Sequence, residues 1–297
     1  MKKSLLVIAA LLIVCALGCV GQGAAQPAAT PVPTAAPVVV EAVMTAQPTA
    51  ASTPIPTPTE VPTPAPTDTP EPTPEPTPTP TPKPLEGIVI GLDPGHQRVY
   101  DPKPEPVAPG SSKTKQKVAG GCRGVKSGVY EYEVVLNVGL YLRDLLEEQG
   151  ATVVMTHDTL DVNISNIERA QVFNDNNVDL GIRLHCNKAD DRKTRGAFMI
   201  VPKESRTSFY EFNVRAAKTI LAAYLEATGL PMRYQDGMTY RADQTGFNWC
   251  TRPIINIEMG HLSCPEEDAL LSTEEFQQIM AQGLCNGIVE FFTNERE

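Results

Sequence analysis

Gly87-Ile88-Val89-Ile90-Gly91-Leu92-Asp93-Pro94-Gly95-His96 is the stretch from which the fold is read. Ile88 to Leu92 is a near-continuous apolar run with no turn residue other than one glycine, the pattern of a strand buried on both faces of a sheet. Asp93-Pro94-Gly95-His96 follows it directly, so a tight turn delivers a histidine at the carboxyl end of the strand. In open α/β sheets, that end is where ligands collect.

Downstream, short apolar runs alternate with amphipathic stretches. Glu131 to Gln149 carries Val135, Val138, Leu142, Leu145 and Leu146 at helical spacing and stops at Gly150, and Ala151 to Thr156 reads as the next strand. Capping boxes at Ser165 with Glu168, Ser208 with Glu211 and Ser272 with Glu275 announce three further helices. The helix from Ser208 ends near Gly229 and Pro231. Strands are expected at Val178 to Leu184, Gly196 to Val201 and Pro253 to Glu258. The sum is one α/β domain, a mostly parallel mixed sheet with helices on both faces, running over residues 85–297. Gln97 to Val129 lacks apolar periodicity and reads as a long functional loop that lines or covers the cleft.

Upstream of this domain nothing can form a core. Residues 21–84 are dominated by Pro, Thr and Ala, with runs such as Pro-Thr-Pro-Glu-Pro-Thr-Pro, and read as a disordered, polyproline-like stalk. At about 3.1 Å per residue, about sixty residues reach on the order of 190 Å. Residues 1–20 read as an export signal, with Lys2 and Lys3 before an apolar run from Leu5 to Leu17. Ala16-Leu17-Gly18-Cys19 is similar to a bacterial lipobox, which makes Cys19 the lipidation site and the protein membrane-anchored through it. The alternative is a simple secretory signal cleaved near Ala24 and Ala25, which leaves the protein free outside the cell; either way it is exported, and the lipid-anchored reading places it at the outer face of the membrane or in the cell wall.

The net charge of −10, without an extended basic run, argues against nucleic acid as a partner. Five cysteines fall in the domain, Cys122, Cys186, Cys250, Cys264 and Cys285; their odd number leaves any pairing open, and the lack of a CxxC pair argues against a zinc ribbon.

His185 ends a second apolar strand in Arg183-Leu184-His185-Cys186-Asn187, as His96 ends the first. One such histidine is more often structural than a ligand, but two at the tips of buried strands point to a site. Glu131 opens the first long helix, where a carboxylate also suits the helix dipole, and Glu258 ends the strand Ile254-Ile255-Asn256-Ile257. Two histidines and a carboxylate match the ligand set of catalytic zinc, leaving Glu258 over as a general base.

Taken together, Asp93-Pro94-Gly95-His96, Glu131, Arg183-Leu184-His185-Cys186-Asn187 and Ile257-Glu258-Met259-Gly260-His261-Leu262-Ser263 resemble, in order and rough spacing, the zinc-dependent N-acetylmuramoyl-L-alanine amidases of the amidase type 3 family. The resemblance also takes in Thr156, Glu168-Arg169-Ala170, Asp179 and Asp268, and covers about Gly87 to Phe292. It implies zinc held by His96, Glu131 and His185, with Glu258 as the catalytic carboxylate. The implied substrate is the amide joining N-acetylmuramic acid to the L-alanine of peptidoglycan stem peptides. Glu131 is taken over Glu133 because it stands five before Leu136, as in the family's helix.

Departures from the family pattern are His157, Cys186 and Cys264, and none removes an implied ligand. Cys186 reads as a buried thiol and His261 as a substrate contact or an alternative ligand. Asn187, Asn248 and Trp249 are candidate substrate contacts, with Trp249 equally readable as an aromatic anchor for a loop. The protein is expected to act as a monomer. Rival functions are a catalytically silent peptidoglycan-binding domain, against which the four implied functional residues speak, and a zinc peptidase cutting within the stem peptide.

Overall fold

The computed structural model describes residues 82–295, so the signal segment, Cys19 and nearly all of the stalk lie outside the described residues. A six-stranded sheet runs in the order β4-β1-β5-β8-β6-β7. Its strands are β1 (Val89–Pro94), β4 (Thr152–Met155), β5 (Leu180–Asn187), β6 (Phe198–Pro202), β7 (Met238–Arg241) and β8 (Ile254–His261). All neighbouring pairs are parallel except β6 with β8, which fits the expected mostly parallel mixed sheet. The helices are α1 (Glu131–Glu148), α2 (Asn166–Asp175), α3 (Tyr210–Thr228), α4 (Thr245–Trp249), α5 (Pro265–Leu271) and α6 (Glu274–Asn294). Among the described residues, no helix is long and apolar enough to cross a membrane.

The two faces of the sheet are unequal. On one, α1, α3 and α6 bury the large core, which takes Ile90 and Leu92 from β1, Leu180, Ile182 and Leu184 from β5, and Ile255, Ile257 and Met259 from β8. On the other, α2 and α4 pack over a small cluster that includes Phe173, Phe198, Phe247 and Ile254. Phe173 lies so close that a Cβ at Gly91 or Gly181 would fall within 2.6 Å of its ring, so both strands need glycine there. Because side chains alternate across a strand, Asp93, Arg183, His185, Asn256 and Glu258 share the thin-layer face, each at an even spacing from Gly91, Gly181 or Ile254. The apolar strands are therefore not uniformly apolar-facing: one face carries the core and the other carries the chemistry.

Local signals held unevenly. Ser165 caps α2 with a reciprocal capping box to Glu168, and Gly229 ends α3 in the left-handed region at φ 67°. The expected caps at Ser208 and Ser272 are not made. Helix α3 starts after Phe209, with no side-chain cap, and Thr273 caps α6 by accepting from Phe276 N. Ser272 is taken up at the end of α5, a helix that Pro265 starts at its first position. The 97–129 segment is not a plain loop, for it contains an antiparallel hairpin of β2 (Asp101–Pro106) and β3 (Thr114–Val118).

Candidate metal centre

Three side chains from three elements converge at the carboxyl ends of β1 and β5. His96 follows β1, Glu131 is the first residue of α1, and His185 lies in β5. One ligand atom from each falls within 4.8 Å of the others. Glu131 Oε1 lies 3.3 Å from His96 Nε2 and 3.1 Å from His185 Nδ1.

Each member is held by its surroundings. His96 has a left-handed backbone, φ 63°, a costly state for a non-glycine residue, and its Nδ1 bonds to Ala119 O at 2.7 Å. That bond takes the Nδ1–H and turns Nε2 toward the Glu131 carboxylate, whose charge, against the effect of burial, raises the pKa of this ring. Glu131 accepts from Cys122 N at 2.8 Å and from Cys186 N at 3.1 Å, and it sits at a helix N-terminus, where the dipole favours negative charge. Burial disfavours its ionisation, but the two imidazoles outweigh burial and hold its carboxyl well below the usual range. Burial, despite the bond to Glu131, lowers the His185 pKa to about 4, so the ring is neutral at pH 7, the form that binds metals. Two glycines make the approach possible: a Cβ on Gly95 would sit 2.2 Å from the His185 ring, and one on Gly121 (φ 73°) 3.1 Å from both Glu131 and His96.

Glu258 pairs with His185 across the β5–β8 ladder, so it stands beside the cluster on the same face. Burial, then the charge of Glu131, pushes its pKa up to about 8, and Asn256 Nδ2 donates to its Oε1 at 3.3 Å. A cavity of about 360 Å³ opens over His96, Glu131, His185, Asn187 and Glu258. Two nitrogens and a carboxylate oxygen around one open cavity fit a divalent metal of zinc's preferences, with room left for a non-protein ligand.

Behind the cluster lies a second ionic group that sequence reading did not assign. Asp93 is 1% exposed and binds Arg169 Nη1 at 2.6 Å and Arg183 Nε at 2.7 Å. Burial opposes its ionisation, but the two guanidinium groups dominate and keep the carboxyl far below its ordinary value. Arg169 also donates to Pro94 O and His96 O, at 2.8 Å each, so the lock fixes the turn that presents His96. The pairing of Asp93 with Arg169 left only a faint trace in the sequence, a carboxylate at the end of an apolar strand.

The remaining candidates are placed as follows. Asn187 lines the cavity and its Nδ2 lies 3.2 Å from His261 Nε2. His261 is fully buried and lies outside the three-residue cluster, its pKa lowered by burial to about 4. Asn248 donates to Val107 O at 2.8 Å and Trp249 to Pro106 O at 2.9 Å, so the polar groups of both hold the turn end of the β2–β3 hairpin. Cys186 is buried, burial pushing its thiol well up, and all five domain cysteines are free thiols. Asp268 accepts from Lys126 N at 2.6 Å and Ser127 N at 2.9 Å, fixing the loop that leads to Glu131.

Comparison with known proteins supplies the chemistry's context. A family model described as N-acetylmuramoyl-L-alanine amidase matches residues 90–290. A germination-specific N-acetylmuramoyl-L-alanine amidase of Bacillus subtilis is 28% identical over 71% of this chain and 82% of its own length. An N-acetylmuramoyl-L-alanine amidase of Mycobacterium tuberculosis is 27% identical over 71% of this chain and 89% of its own length. The crystal structure of an N-acetylmuramyl-L-alanine amidase from Mycobacterium smegmatis matches in fold, with TM-score 0.65 and 24% identity over 71% of this chain and 99% of that one.

Proposed function

The chain belongs to the N-acetylmuramoyl-L-alanine amidase family, and from that premise we propose that it hydrolyses the amide between N-acetylmuramic acid and L-alanine of peptidoglycan with zinc held by His96, Glu131 and His185. The observation that carries the metal assignment is the convergence of those three donors within 4.8 Å. Zinc held there would supply Lewis acidity toward the scissile carbonyl and would bring the pKa of a bound water down to about 7.

The chain's own residues do the rest. Glu131, charged at neutral pH and fixed by two backbone N–H groups, orients both imidazoles. His96 Nδ1, bound to Ala119 O, sets that ring's tautomer. Glu258, across the ladder from His185, is the proposed base: it takes a proton from the attacking water and passes it to the leaving amine. Burial and the charge of Glu131 raise its pKa in the metal-free protein, and a cation held by His96, Glu131 and His185 would favour the carboxylate that the base needs.

Under this reading residues 1–20 are the export signal, Cys19 the lipid acceptor, residues 21–84 a stalk that reaches into the wall, and residues 85–297 the catalytic domain of a monomer. The peptidoglycan lies outside the cell, where a signal and lipid anchor would deliver the enzyme. The test is zinc content and fragment release from purified sacculi, with a Glu258→Ala variant alongside. About one zinc per chain and intact stem peptides released by the parent, with zinc retained but release lost in the variant, support the assignment. Clipped stem peptides would make it a peptidase, and no zinc with no release would make it a silent binding domain.

A further inference from the structure

Beside the metal centre a second recess of about 460 Å³ opens, sharing His185 and Glu258 with the first and floored by Arg183, Asn166, Asn256 and Thr245. Its charge is lopsided. Lys115 and Arg183 stand in the lining against the single carboxyl of Glu258, and each belongs to an ion-pair group with surplus positive charge, Lys115 and Arg241 on Asp243 and Arg169 and Arg183 on Asp93. Arg183, 6% exposed, spends Nε on Asp93 and donates from Nη2 only to the neutral Asn166 Oδ1, at 2.8 Å. Its Nη1 edge is approached by Gly246, where a Cβ would come within 2.8 Å, so the backbone of α4 closes onto the guanidinium. Thr245, 4% exposed and in the lining, has a buried Oγ1 with no hydrogen-bond partner. A buried cationic side chain and a buried hydroxyl without a hydrogen-bond partner, on two residues that both line the recess, suit an anion with several acceptor lone pairs. Glu105, the other carboxyl near Arg169, has its own pKa raised by burial and does not line the recess.

The ladder gives the distance. Arg183 pairs with Asn256 and His185 with Glu258, two residues further along the same strands. Two residues of strand span roughly 7 Å. An extended peptide covers about the same distance in two residues. With the scissile carbonyl over His185 and Glu258, the carboxyl group on the α-carbon of the second residue beyond it arrives over Arg183.

Resting on the amidase reading above, we propose that Arg183 and Thr245 form a subsite for a free carboxylate on the second residue of the stem peptide, so that the enzyme selects stems charged at that position. Arg183 supplies charge-assisted hydrogen bonding and Thr245 its hydroxyl donor; Lys115 at the rim adds long-range attraction.

The experiment uses the full chain loaded with zinc and two sets of soluble peptidoglycan fragments that differ only in whether the second residue, glutamate, carries a free carboxylate or the carboxamide. Because the two groups are nearly the same size, the ratio of kcat/KM reports charge, and a general loss of folding in a variant cancels from it. The wild type should favour the carboxylate by about tenfold or more. Arg183→Gln should reduce the ratio to within about twofold of unity, and Thr245→Val should lower it by a smaller factor. Equal rates on both sets in the wild type, with release of intact stems, overturn the subsite and leave the amidase reading standing. A ratio that Arg183→Gln leaves unchanged also overturns it, and release from neither set overturns the amidase reading and the subsite with it.

Discussion

Asp93 and Glu131 are both buried carboxylates at the end of the same sheet, each between two basic side chains, Arg169 and Arg183 around the first and His96 and His185 around the second. The guanidinium groups are charged at any physiological pH, so the Asp93 cluster is permanently ionic and can exchange its partners for nothing. The imidazoles are bases that neutral pH can leave unprotonated, as burial does for His185, so the Glu131 cluster can give up protons and offer lone pairs instead. One arrangement of acid and bases makes a lock where the bases cannot titrate and a receptive centre where they can. The lock stands directly behind the centre, since Arg169 holds the carbonyl oxygens of Pro94 and His96.

The contrast breaks most sharply at Glu131. Glu131→Gln keeps the shape and some of the backbone bonds but loses the charge, so zinc should be lost and fragment release should fall by on the order of 10⁴-fold, while the metal-free protein melts within a few degrees of the parent. Metal analysis and calorimetry check both halves; retained zinc and activity would sink the ligand assignment. At Asp93 the same kind of change should act on stability. Asp93→Asn leaves two guanidinium groups without their buried counter-charge and should cost about 3 to 5 kcal/mol in urea unfolding, with no rescue by zinc. A loss under about 1 kcal/mol would mean that Asp93 is not the lock described.

A smaller effect belongs to the glycine that separates the two clusters. Gly95→Ala puts a methyl where the His185 ring stands, 2.2 Å away, and should weaken zinc binding by about 10- to 100-fold. Titration with a competing chelator measures it, and unchanged affinity would show that the ring has another place to go. The smallest expected effect is on pH dependence. The Glu258 pKa is raised from 4.5 to about 8 in the fold, so the folded state favours its protonated form. The metal-free protein should therefore be most stable below about pH 4.5 with respect to this group and lose stability as pH rises toward 8. Glu258→Gln should flatten that slope, raising Tm near pH 8 by a few degrees relative to the parent. A parallel pair of Tm curves would remove Glu258 as the cause.

The parts legible from sequence were those written in local pattern. His96 and His185 were found because each ends an apolar run, and Glu131 because it opens a helix with strong apolar periodicity. Ser165 and Gly229 announced their helix ends through side-chain or backbone chemistry confined to a few residues. Ser208 failed as a cap because the Thr207 hydroxyl takes the Phe209 N–H at 3.1 Å and the helix starts beyond it. The hairpin in 97–129 was invisible because Asp-Pro-Lys-Pro-Glu-Pro has neither alternation nor the full set of ladder donors. It is held by distant partners instead, Trp249 and Asn248 at its turn end and Asn166 on Lys117 O near its base.

By itself, then, the sequence determined a mostly parallel α/β sheet, its stalk-like preamble as a composition, and the four residues proposed for the chemistry, because periodicity and turn residues act over a few positions of chain. Only the tertiary structure decided which face of each strand those residues share, that Arg183 joins Asp93 across 90 residues, and that Asn248 and Trp249 bond to the turn end of the hairpin. Such choices depend on the register between strands and on the volume left by side chains such as Phe173, quantities that exist only once distant segments are packed against each other.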